Sequence, residues 1–189
     1  MDRRVLLQWM VATGGLVAFQ RLSARDLSAL GASTHARLTN EQRGAEFLTP
    51  AERRIVEAGA ECIIPRTDTP GATDARVADF VEVMLAEWYP APDAERFRAG
   101  LAALDATSRA TRGVAFTDAT ATQQAEMVQA LDDEVTTLRR TAGAAANAHW
   151  FAVLKYLTVW GFCTSEPGMR EVLHSLPRPM RYDGAAPVR

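Results

Sequence analysis

The stretch from Ala144 to Phe162 constrains this 189-residue chain more than any other. Trp150, Phe151, Leu154, Leu157 and Gly161 recur there at helical intervals, and the opposite side carries Val153, Trp160 and Phe162. A helix that is apolar nearly all round cannot rest on a surface. It is either the centre of a bundle or buried against a partner. The rest of the chain must then supply one-sided helices to surround it.

Those helices are legible. Thr49-Pro50-Ala51-Glu52 is a capping box with Pro at the first helical position, in which the Thr hydroxyl and the Glu carboxylate satisfy orphan N–H groups reciprocally. Ile55, Gly59, Cys62 and Ile63 follow on one face, and Pro65 stops the helix. After the turn-rich PRTDTPGATD, the residues Val77, Phe80, Val81, Met84, Leu85 and Trp88 fall at i, i+3, i+4, i+7, i+8 and i+11. Pro90 and Pro92 end that helix and open a third, marked by Phe97, Leu101 and Leu104 and terminated by Gly113. Thr120-x-x-Gln123 is a second capping signature, opening a helix with Met127, Val128 and Leu131. A short helical piece is expected near Met169–His174, followed by a tail with Pro at 177, 179 and 187 that is not regular structure. No run alternates at period two. The reading is an all-α, single compact helical domain with an N-terminal signal-like helix and an irregular, Pro-rich C-terminal tail.

Three segments are expected: a signal segment at 1–34, a linker at 35–48 and a helical domain at 49–189. In the first, Arg3 and Arg4 precede VLLQWMVATGGLVAF, which has no charge and is too short to span a bilayer comfortably. Paired arginines at this place are the address of the twin-arginine export route, which carries folded proteins to the periplasm. Ala29-Leu30-Gly31 and Gly31-Ala32-Ser33 are small-x-small cleavage candidates. The competing reading is an ordinary first helix, with Leu6, Trp9, Met10, Leu16 and Val17 on one face.

Composition excludes several functions. With 48% hydrophobic and 23% charged residues the chain is not disordered, and 21 Lys+Arg against 23 Asp+Glu provide no basic field for nucleic acid. His35, His149 and His174 form no HxxxH or HExxH arrangement, so no metal site is expected. There is no GxGxxG or P-loop after a strand, no CxxCH for haem c, and no GxSxG elbow. Glu166 or Asp183 acting alone as an acid or base would lack neighbours to tune it. No catalytic, cofactor-binding or metal residue is therefore assigned to this chain. The only two cysteines, Cys62 and Cys163, each end an apolar helix. Either they bond, closing a loop of about 100 residues for up to ~4–5 kcal/mol, or they remain buried thiols acting as small apolar residues.

The order of motifs resembles the gluconate 2-dehydrogenase subunit 3 family. The resemblance runs through LTPAERRIVEAGAECIIPRTDTPGA, VADFVEVML, FRAGLAALD, FAVLKYLTVWGFCTSEPGM and a Tyr-Asp-Gly tail, about residues 48–185 plus the leader. Its most specific parts are Ile63-Ile64-Pro65 with Asp68 to Ala72, Thr164-Ser165-Glu166 with Gly168, and Tyr182-Asp183-Gly184. Cys163 and Pro167 depart from the pattern, which has an aromatic and a small aliphatic residue there. The resemblance implies a non-catalytic small subunit of a periplasmic dehydrogenase of sugars or sugar acids. Its large partner, a flavoprotein of the glucose–methanol–choline (GMC) type, would hold FAD, and the resemblance leaves room for a third component, a cytochrome c subunit with haem c. A partner interface is expected at Trp160, Thr164, Ser165, Glu166, Gly168, Tyr182, Asp183 and Gly184. Trp88, Tyr89, Trp150, Phe151, Tyr156 and Phe162 are either further anchors or core. The alternative is a free-standing exported helical binding protein or chaperone.

Overall fold

The computed structural model describes Ala29, Gly31, Ala32, Thr34 and residues 47–175. Five α-helices follow Thr49: α1 (Pro50–Ile63), α2 (Val77–Glu87), α3 (Ala91–Arg112), α4 (Ala121–Ala142) and α5 (Trp150–Thr164). Short 3-10 turns lie at Phe116–Asp118 and Gly143–Ala148, and a π-helical turn at Gly168–Val172. There is no strand among the described residues.

The helix ends form where local chemistry puts them. Both capping boxes are closed: Thr49 accepts from the Glu52 N–H while its own N–H donates to the Glu52 carboxylate at 2.8 Å, and Thr120 and Gln123 repeat the arrangement. Gly113 ends α3 at φ 76°, a left-handed conformation that costs glycine nothing.

Helix α5 is the axis. Every residue from Phe151 to Cys163 is buried, and the helix touches each of α1, α2, α3 and α4. Helix α4 is the opposite case: of its 22 residues only Met127, Val128 and Val135 are buried. The apolar run beginning at Ala144 is not helical from its start. Residues Gly143–Ala148 make a 3-10 turn, and α5 begins at Trp150, capped by the His149 ring, which accepts from the Phe151 N–H.

Two neighbours of α5 approach it more closely than a side chain would permit. A Cβ at Gly100 would lie 2.0 Å from Cγ of Trp150, and one at Gly161 would lie 2.8 Å from the Phe80 ring. The ring of Phe80 in turn meets Trp160 edge-on, centroids 5.3 Å apart.

The body begins before Thr49. Leu48 is buried, and the N–H groups of Phe47 and Leu48 both donate to Glu82 Oε1 at 3.0 Å. Arg98 covers the Phe47 ring and pairs with Glu52 at 2.8 Å. The last two residues of the expected linker are thus clasped by α2 and α3. Arg3, Arg4 and most of the leader lie outside the described residues, as do His35, Tyr182, Asp183 and Gly184.

Candidate interaction surface

The loop from Ile64 to Arg76 has no regular structure, yet its backbone is held at almost every step. One carboxylate organises it: Glu61 accepts from the Arg66 N–H at 2.7 Å, the Thr73 N–H at 2.9 Å and the Thr73 hydroxyl at 2.7 Å. Asp74 accepts from the Gly71 N–H and pairs with Arg66. Gly71 is obligatory here, because a Cβ would sit 2.5 Å from Glu61 Oε1 and 2.6 Å from the Arg66 nitrogen. The loop thereby presents Arg66, Thr67 and Asp68 to solvent in a fixed shape.

Beside this loop, between α1 and the start of α2, lies a cleft of about 280 Å³. Ala60, Ala72, Val77 and Ala78 give it a floor of small apolar groups; Arg53, Glu57, Arg76 and Asp79 form its rim. The rim charges are spent on one another. Arg53 pairs with Glu57, Asp79 and Glu82, and Arg76 pairs with Asp79 at 2.5 Å. What the cleft offers is therefore a neutral socket for a compact side chain rather than a binding site for a free ion. Arg76 itself stands at φ 51°, left-handed without being glycine. Non-glycine residues pay for that conformation in sterics, and such strain concentrates at functional positions.

A second organised segment follows α5. The Ser165 hydroxyl donates to the Phe162 carbonyl at 2.7 Å and accepts from the Gly168 N–H at 3.1 Å, tying off the helix within the core. A Cβ at Gly168 would lie 1.9 Å from the Phe162 oxygen. Only Glu166 turns outward, paired with Arg170 at 2.8 Å.

A family model described as gluconate 2-dehydrogenase subunit 3 matches residues 50–180. The chain belongs to that family. No curated protein and no solved structure matches it. The subunit 3 family takes its name from one component of a dehydrogenase, so a chain of this kind is part of a dehydrogenase assembly.

Within this subunit 3 fold, several expected interface residues are internal. Trp160 is 2% exposed, wedged against Phe80 and Tyr156, so it packs the core and presents nothing to a partner. Ser165 and Gly168 are buried as well, because they build the turn just described. Thr164 is half-buried, its hydroxyl donating to the Trp160 carbonyl at 2.9 Å. Of the described residues of the set, Glu166 alone is openly exposed. Of the wider aromatic group, Tyr89, Phe151, Tyr156 and Phe162 are core, Trp150 is half-buried against Phe97, and Trp88 is 46% exposed.

The bridge between Cys62 and Cys163 is not formed: both thiols are free. Cys163 belongs to the core and Cys62 only packs against its edge. Burial pushes both thiols up, Cys163 to about 12, which favours the protonated thiol. Among the described residues no three His, Cys, Asp or Glu side chains gather to hold a metal ion, and no helix is long and apolar enough to cross a membrane.

Sequence reading missed Lys155. It lies in the middle of α5, 8% exposed, with its ammonium 2.5 Å from Asp132 Oδ1. A single charge inside an otherwise apolar helical run was the available signal, since such a charge needs a buried partner.

Proposed function

We propose that this chain is a non-catalytic small subunit that accompanies an FAD-binding GMC-type large subunit, assists its maturation and carries its export signal, Arg3-Arg4, to the periplasm. The family match over residues 50–180 supports this reading above all. The large subunit oxidises a sugar or sugar acid at its flavin, and a cytochrome c subunit with haem c receives the electrons.

The fate of this chain's own acidic groups is in keeping with that division of labour. Glu52 caps α1 and pairs with Arg98, Glu61 holds the 64–76 loop, Asp79 and Glu82 hold Arg53, and Asp105 accepts from the Phe116 N–H. Each of these five carboxylates is engaged in folding. The surface best shaped to receive the large subunit is the 64–76 loop with its cleft: rigid, neutral and strained at Arg76. Trp88 is an exposed aromatic anchor of the type that dominates interface energies. Tyr182, Asp183 and Gly184 add a further contact with the large subunit.

Co-expression tests the proposal. The flavin-loaded, exported fraction of the flavoprotein should rise with this chain present, and the chain alone should oxidise no sugar. Equal loading and export without it would reject the role. A periplasmic pool eluting near monomer mass with no large companion would instead favour a free-standing binding protein or chaperone.

A further inference from the structure

We propose that the segment carrying Ala29, Gly31, Ala32 and Thr34 is an integral part of the folded body, docked on the C-terminal end of α5, so that any removal of the leader occurs N-terminal to Ala29 and spares the small-x-small sites at 29–31 and 31–33. For its second experiment only, this rests on the export reading.

Burial along the segment has the pattern of a helix lying on a surface. All four residues have helical backbone. Gly31 and Thr34, three apart, are buried, Thr34 to 1% exposure; Ala29 and Ala32, also three apart, are exposed. Residues three apart share a helix face. The body's side of the contact is Thr164. A Cβ at Gly31 would lie 2.7 Å from Thr164 Cγ2 and 2.8 Å from its Oγ1. Thr164 cannot swing aside easily, because its hydroxyl is tied to the Trp160 carbonyl at 2.9 Å and a β-branched side chain has few χ1 alternatives. Glycine at 31 therefore answers a packing demand of the folded domain, which a segment discarded after export would have no reason to meet. A protease reads its substrate as an extended strand. Cutting at 29–31 or 31–33 would require Gly31 to leave Thr164 and its helix to unwind.

Thr164 was expected at the interface with the large subunit. In this arrangement the chain's own N-terminal segment lies against it, which leaves contact with the large subunit to the 64–76 loop and Glu166.

Two measurements on the full chain decide the matter. Helix propensity alone would make Gly31→Ala stabilising, so the docking is tested by the sign of the change. Gly31→Ala should lower Tm by roughly 2–6 °C, and the loss should shrink to less than half in a Thr164→Ala background. If Gly31→Ala fails to fold, recovery of folding by Thr164→Ala supports the same contact. A raised Tm, or an equal loss in both backgrounds, overturns the docking. Intact mass of the periplasmic protein should show a chain retaining Ala29 to Thr34. A mature chain beginning at Ala32 or Thr34 overturns the processing boundary. Absence of any periplasmic pool would count against export, and the Tm comparison would then decide the docking by itself.

Discussion

The ammonium of Lys155, the only lysine in the chain, lies 2.5 Å from the Asp132 carboxylate, joining the central helix to the most exposed one. Asp132 keeps a quarter of its side chain in water, so the pair is only partly desolvated. Removing one partner strands the other charge, whereas an apolar replacement of the buried partner removes the problem. Asp132→Ala should cost about 1–3 kcal/mol, while Lys155→Met should be neutral or stabilising. Urea unfolding of the two variants checks both signs.

The His149 ring is held below its ordinary value near 6.5 by burial, with Glu134 at 3.7 Å acting the other way. A depressed value means that the unfolded chain takes up the proton first. This contribution to stability is complete above about pH 6.5 and declines as pH falls through the lower folded value. Protonation would also remove the Nδ1 acceptor that caps α5. Urea midpoints should therefore drop as the pH is lowered below about 6.5, and His149→Asn, which keeps a capping oxygen, should flatten that drop.

At the end of α5, Gly168→Ala drives a carbon into the Phe162 carbonyl, a backbone atom that cannot move alone. It should destabilise by at least ~3 kcal/mol. Ser165→Ala leaves the Gly168 N–H unsatisfied in the core and should cost about 1–3 kcal/mol. Chemical denaturation measures both.

The helical frame was largely legible because its boundaries are local. Thr49, Gly113 and Thr120 stop or start helices through atoms within a few residues of themselves. The burial of α5 was legible because no face of it is polar. The 3-10 turn at Gly143–Ala148 was not: its alanines favour a helix, and the break arises from Gly143 at φ 57°, ψ −129°, a backbone conformation with no composition signal beyond the glycine itself. The Thr164 to Gly168 motif was conspicuous, but the burial of Ser165 and Gly168 within it was not legible. Serine and glycine look like surface residues until the Phe162 carbonyl folds back over them.

Gly100 lies under the Trp150 ring, where a Cβ would meet the ring at its near end. Gly100→Ala should cost about 1–3 kcal/mol despite the better helix propensity of alanine. A shift in Trp150 fluorescence, measured in a variant retaining that tryptophan alone, should accompany the loss.

Trp88 is open to water at the end of α2. Trp88→Ser should change stability by no more than ~0.5 kcal/mol while weakening co-purification of the flavoprotein. Unchanged recovery of the complex would remove Trp88 from the interface.

The contrast between α5, enclosed on every side, and α4, with three buried residues in six turns, sets unequal freedom to drift. Descendants of this gene should accumulate replacements along residues 121–142 long before residues 150–168 change. Kinship among distant members will fade first in the outer rod and last at the hub.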